Sequence, residues 1–101
     1  MTAHIIFNKI DKKNTVTHSN KMIKLIRNKL GFKNILISDD LSMKSLKGSI
    51  QENTIKTFNA GCNLVLHCNG NFKEMEIVGK SSPLINKFIF KKTSQFYKIL
   101  R

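Results

Sequence analysis

Asn34-Ile35-Leu36-Ile37-Ser38-Asp39-Asp40-Leu41-Ser42-Met43 is the stretch that decides the fold. Ile35, Leu36 and Ile37 are apolar on successive residues, the pattern of a parallel strand covered on both faces. The run stops abruptly at two carboxylates, so the strand delivers acidic groups to its C-terminal end. In α/β folds with helices outside a parallel sheet, that end carries the chemistry. Successive side chains on an extended backbone point opposite ways. With Asp39 at the open end of the strand array, Asp40 faces away and orients the loop. On residue type alone, an Asp-Asp pair is more often a turn or helix-capping element than a catalytic one.

Working outward, the flanks alternate between strand and helix. Upstream, Ser19 is a helix N-cap and Gly31 the residue that ends that helix near Leu30. Met22, Ile23, Ile26 and Leu30 share one face of it, and Lys21, Lys24 and Asn28 the other. Before it, Met1–Phe7 reads as a strand through Ile5, Ile6 and Phe7, followed by a polar, turn-rich loop over Asn8–His18. Downstream, Ser49-Ile50-Gln51-Glu52 has capping-box spacing and predicts a helix from Ile50 to Gly61. Asn63–His67 is a third strand, Asn69-Gly70-Asn71 a turn, and Phe72–Val78 a short helix. Ser82-Pro83 predicts the start of a long amphipathic helix, with Leu84, Phe88, Phe96 and Leu100 recurring on one side. The expected class is α/β, with three parallel strands near 3–7, 35–39 and 63–68.

Three ordered segments carry a family resemblance. Leu30-Gly31-Phe32 followed by Ile37-Ser38-Asp39-Asp40-Leu41-Ser42-Met43 resembles the nucleophile segment of glycoside hydrolase family 3, nearest to its bacterial β-N-acetylhexosaminidases. Met1-Thr2-Ala3-His4-Ile5 resembles the preceding strand of that family, and Asn59-Ala60-Gly61-Cys62-Asn63-Leu64-Val65-Leu66 the following helix end and strand. The resemblance covers roughly residues 1 to 70. Asn63 departs from it, standing where the family usually has Asp. The resemblance implies a C-terminal fragment, about three β/α units, of a TIM (β/α)₈ barrel, with the whole chain, 1–101, as one partial domain. A full barrel needs roughly 200 residues or more, and the chain has 101.

The resemblance also implies site residues. Asp39 is the catalytic nucleophile, and His4, Asp40 and Met43 are substrate-binding candidates. The implied substrate is an N-acetylglucosamine-containing glycan or muropeptide, met during peptidoglycan recycling, with no cofactor and no metal. The retaining reaction needs a second group as proton donor, commonly a carboxyl about 5 Å from the nucleophile. The hexosaminidases of the family use instead a His–Asp pair on an earlier mobile loop, and none of His4, His18 and His67 matches it. Of the other acidic residues, Asp11, on the loop at the mouth, is the single candidate by position. The expectation is therefore a chain inactive alone, with a complementary N-terminal barrel fragment as a conceivable partner.

Composition sets the alternative. The formal charge is +12, and lysine supplies 16 of the 18 cationic side chains. Nucleic-acid readers add arginine forks and interleaved aromatics, whereas Arg27 and Arg101 are the two arginines here and the lysines are dispersed. A solvated basic surface is the plainer reading, and nucleic acid is not the expected partner. The alternative kept open is a small basic interaction module, binding nucleic acid, on a remnant α/β fold. No apolar run approaches the roughly 20 residues of a membrane span, so no membrane partner is expected. Without a signal segment at the start, the expected compartment is the cytoplasm. Cys62 and Cys68 bracket the third strand roughly 20 Å apart, too far for a disulfide or a shared ion with His67. Both are expected to be buried, reduced thiols.

Overall fold

The structure is a computed structural model that describes residues 1–100. A parallel strand pair lies at its centre, β1 (Ile37–Asp40) beside β2 (Leu64–Leu66). Parallel neighbours need a crossover, and helix α2 (Ile50–Ala60) supplies it. Helix α1 (Asn20–Asn28) precedes β1, and helices α3 (Phe72–Ser81) and α4 (Lys87–Leu100) follow β2.

The caps form as their residue types dictate. Ser19 Oγ accepts the Met22 N–H at 3.1 Å, and Ser49 Oγ accepts the Glu52 N–H at 3.1 Å. Gly61 ends α2 at φ +118°, a left-handed conformation that a side chain rarely adopts. A Cβ there would also stand 2.8 Å from Ile23 Cγ2. The turn from α2 into β2 thus brings backbone directly against α1.

The core lies between the sheet and these two helices. Ile23, Leu36, Ala60 and Cys62 form it, with Ile26 packed alongside. Leu36 therefore points at the helices, and alternation sends Ile35 and Ile37 to the opposite face. On that face Ile35, Ile37 and Leu64 look across a groove of about 470 Å³ at Thr93, Phe96 and Ile99 of α4.

Arg27, at the end of α1, ties the N-terminal ends of the strands together. Its Nη1 donates to the Phe32 and Asn34 carbonyls at 2.9 and 2.6 Å, and its Nη2 donates to Asn63 Oδ1 at 2.7 Å. The same Asn63 oxygen accepts the Leu36 N–H at 2.9 Å. The guanidinium carbon sits 5.7 Å from the ring centres of both Phe32 and Phe88.

Four expectations need correction. The strand expected at 3–7 does not form, so the described residues hold two strands instead of three. Thr2 alone pairs with β1, donating to the Ile37 carbonyl at 2.8 Å and accepting the Asp39 N–H at 3.1 Å. Beyond it the backbone bonds to the 16–17 segment instead: Val16 N–H reaches the Ile5 carbonyl and Thr17 N–H the Ala3 carbonyl. Ile5, Ile6 and Phe7 remain exposed, so their β propensity finds no packed surface. Second, β1 is Ile37–Asp40, so it starts two residues later than the expected 35–39 and runs one residue further, through Asp40. Third, the last helix starts at Lys87 and not at Ser82-Pro83. Ser82 Oγ donates back to the Val78 carbonyl at 2.7 Å and so closes α3, while Asn86 Oδ1 caps α4 by accepting the Ile89 N–H at 2.9 Å. Fourth, Cys62 is buried but Cys68 is exposed, and both thiols are free. Burial pushes the Cys62 thiol above its ordinary pKa.

Candidate active site

The C-terminal end of β1 does not continue the regular ladder. Ile37 pairs with Leu64 but Asp40 with Leu66, so three steps along β1 match two along β2. The extra residue is a β-bulge, and such bulges re-aim side chains at strand ends. Ser38, fully buried, stabilises it: its Oγ accepts the Leu66 N–H at 3.1 Å, a role the regular ladder gives to a backbone carbonyl. Leu41 N–H then reaches the Leu66 carbonyl at 2.9 Å and closes the pairing.

The two carboxylates beside the bulge have different partners. Asp40 Oδ1 accepts the Ser42 N–H and the Cys68 N–H, each at 3.0 Å, and its Oδ2 accepts the Ser42 hydroxyl at 2.6 Å. Burial disfavours its charge, but these bonds and nearby His67 outweigh that and hold its pKa below the ordinary value. Asp40 thereby stitches the loop after β1 to the loop after β2. Asp39 Oδ1 accepts the Asp40 N–H at 2.8 Å. Among the described residues no other hydrogen bond reaches the Asp39 carboxylate, and Asp39 is half-buried.

His4 braces the same strand end. Its Nε2 lies 2.8 Å from the Asp40 carbonyl and its Nδ1 2.8 Å from Thr17 Oγ1. A carbonyl can only accept, so Nε2 carries the hydrogen. Thr17 and Thr2, both buried, face each other at 3.0 Å behind it. Both His4 nitrogens are thus engaged within the protein. Met43 lies on the loop after β1, exposed, its N–H bonded to the Asp40 carbonyl at 3.2 Å.

Among the described residues no hydrogen bond joins another acidic side chain to the Asp39 carboxylate. Asp11 accepts four hydrogen bonds: Ser19 Oγ at 2.7 Å, the Lys13 and Asn14 N–H groups at 3.0 and 3.2 Å, and Asn14 Nδ2 at 3.2 Å. Ser19 foremost, with Lys13 and Asn14, lowers its pKa to about 2, and such an acid is ionised at neutral pH. Its task is to hold the loop before α1. Glu74 accepts from Asn69 Nδ2 at 2.7 Å, and Glu76 pairs with Lys80 at 3.3 Å. The His67 side chain is 6% exposed, and its Nε2 stands 3.8 Å from Glu74 Oε1, beyond hydrogen-bond length.

The sequence reading did not find the bulge, the Ser38–Leu66 bond, the Arg27 hub or the Thr2–Thr17–His4 chain. Asn63 was the one visible signal of the hub, as a departure at the start of the third strand.

Comparison with known proteins bears on the same segment. A family model described as the glycosyl hydrolase family 3 N terminal domain matches residues 1–88. A β-hexosaminidase of Methylobacillus flagellatus is 36% identical over 80 residues, 77% of this chain and 23% of that protein. One from Nitrosomonas eutropha is 42% identical over 72 residues, 68% of this chain and 20% of the relative. One from Photobacterium profundum is 26% identical over the whole chain and 32% of its own length. The chain thus spans between a fifth and a third of these relatives. Neither the match nor the relatives support the alternative of a basic nucleic-acid-binding module. Among the described residues no helix is long and apolar enough to cross a membrane. The 88 matched residues include both strands and the bulge with its two carboxylates, and the chain belongs to the glycoside hydrolase family 3 N-terminal domain family.

Proposed function

We propose that this chain carries the nucleophile segment of a retaining β-N-acetylhexosaminidase, with Asp39 as the nucleophile. The observation that carries the reading is the unequal use of the two carboxylates: three donors occupy Asp40, while Asp39 is held by one local N–H. A nucleophile needs an oxygen free to reach the sugar: three donors hold both oxygens of Asp40, whereas among the described residues Asp39 Oδ2 accepts none. In the reaction, Asp39 attacks the anomeric carbon as the leaving oxygen takes a proton, and water then hydrolyses the glycosyl ester. The proton donor comes from outside these 101 residues. Asp40 and His4 act behind the nucleophile, fixing the strand end, and Met43 lies on the loop where an N-acetylglucosamine-containing glycan would enter.

The parallel pair with helices on the Leu36 face supports a further reading, in which this is the C-terminal part of a (β/α)₈ barrel. The remaining strands and the acid/base loop then belong to other polypeptide, in one domain with residues 1–101. The bacterial enzymes that recycle cell-wall muropeptides in the cytoplasm are the nearest functional type on the resemblance of the Ser-Asp-Asp-Leu segment.

The test is reconstitution. The chain is mixed with the part of the Methylobacillus flagellatus relative that precedes the matched segment, and hydrolysis of a chromogenic N-acetylglucosaminide is followed. The chain alone should give no turnover. The mixture should turn over, Asp39→Asn should abolish activity without changing the melting temperature, and Asp40→Asn should lower both. Activity surviving Asp39→Asn would overturn the assignment.

A further inference from the structure

We infer that α4 covers the face of the sheet on which the rest of the barrel would pack, so that it must leave that face when the barrel closes. The inference rests on the barrel reading above and adds a moving part to it. Helices α1 and α2 pack on the Leu36 side of the sheet, which in a (β/α)₈ barrel is the outer ring. Ile35, Ile37 and Leu64, on the other side, are then the inward layer. A barrel interior is filled by side chains from its own strands and has no room for a helix. Here α4 lies across that layer, with Thr93, Phe96 and Ile99 along the groove.

The cover is a loose one. Phe96 is 59% exposed and Ile99 81%, and the groove between α4 and the sheet is unfilled. Ile89 is the one buried residue of the helix. Phe88 against Arg27 holds the approach, while the Asn86 cap fixes where the helix begins. The polypeptide that would fill the face exists in the relatives, of which this chain covers 23% and 32% in two cases. The two-stranded sheet also leaves ladder positions to be paired, since among the described residues Thr2 supplies the only backbone bonds to the Ile37 carbonyl and Asp39 N–H on the far edge of β1. The occupant is therefore the strand-bearing remainder of a family 3 barrel, which offers β-branched inward layers and ladder partners together. Until it arrives, α4 shields part of the apolar layer from water and from self-association.

The experiment measures amide hydrogen exchange in the full chain with and without the same preceding part of the Methylobacillus flagellatus relative. Binding is titrated for the parent and for Phe96→Ser, which weakens the cover. Displacement predicts at least tenfold faster exchange in 90–100 while the β1 and β2 amides slow. It also predicts at least threefold tighter binding by Phe96→Ser, because less of the chain is in the covered state. Slower exchange in β1 and β2 with α4 unchanged would overturn the cover and leave the barrel reading standing. No slowing in β1 and β2, even with Phe96→Ser, would overturn the barrel reading, and the cover with it.

Discussion

Replacing Arg27 with methionine keeps most of the aliphatic bulk and removes the fork. The change deletes three hydrogen bonds, to the Phe32 and Asn34 carbonyls and to Asn63 Oδ1, and two contacts with aromatic rings at 5.7 Å. The two carbonyl bonds are exposed, and water takes the place of the donor, so each counts for about 0.5 kcal/mol. The partly buried bond to Asn63 counts for about 1–1.5 kcal/mol as a charge-assisted bond. The ring contacts add about 0.5 kcal/mol each at exposed sites. The expected loss is about 3 kcal/mol, against roughly 5–15 kcal/mol for a domain of this size. By the usual relation for small domains, the melting temperature should fall by roughly 10–20 °C. Thermal unfolding followed by far-ultraviolet circular dichroism measures it. Asn63→Asp supplies the opposite perturbation, turning a neutral acceptor into a carboxylate for Arg27 and still accepting the Leu36 N–H. It should stabilise by about 1 kcal/mol at low salt, and by less as salt screens the pair. In the Arg27→Met background the same Asp should destabilise, because its charge has lost its partner. Arg27→Met melting within about 3 °C of the parent, or an Asn63→Asp effect independent of Arg27, would refute the hub.

Gly61→Ala should cost about 2 kcal/mol or more, since it combines a left-handed backbone with a 2.8 Å approach to Ile23, and urea unfolding reads it directly. Asp11 has a folded pKa of about 2, below its unfolded value near 4, so its contribution is complete above about pH 4 and disappears as pH falls through about 2. The melting temperature should drop across that window, and Asp11→Asn should flatten the drop. Asn86→Ala removes the cap of α4 and should cost about 1 kcal/mol locally, seen as faster hydrogen exchange at Ile89 and Phe90.

What could be read in the sequence was what neighbouring residues decide among themselves. Ser19, Ser49 and Gly61 end helices through bonds within a few residues, and each does so here. The parallel pairing followed from the uninterrupted Ile-Leu-Ile run and the helical crossover. Residues 3–7 failed because a strand is made by its neighbours. Ile5, Ile6 and Phe7 have the right propensity but no packed face to meet. Ser82-Pro83 is a sound helix start in isolation, yet the Ser82 hydroxyl is taken by Val78 one turn back. The bulge was out of reach for a different reason. It depends on a hydroxyl at 38 capturing an amide at 66, and nothing in the order of residues announces that. The alternation argument, which placed Asp39 and Asp40 on opposite sides, assumed a ladder that the bulge interrupts.

That interruption makes the choice between two adjacent, chemically identical acids a question of counting. If the surplus residue moved one place along β1, Asp39 and Asp40 would exchange neighbours, and the carboxylate stitched to Ser42 and Cys68 would be the other one. The Ser38 hydroxyl fixes the count by holding Leu66 at one position. On the proposed role of Asp39, the selection of the attacking group is entrusted to a buried alcohol two places before the second carboxylate. A single-residue deletion within 38–40 would conserve an acid at the strand end and still leave it in the wrong place.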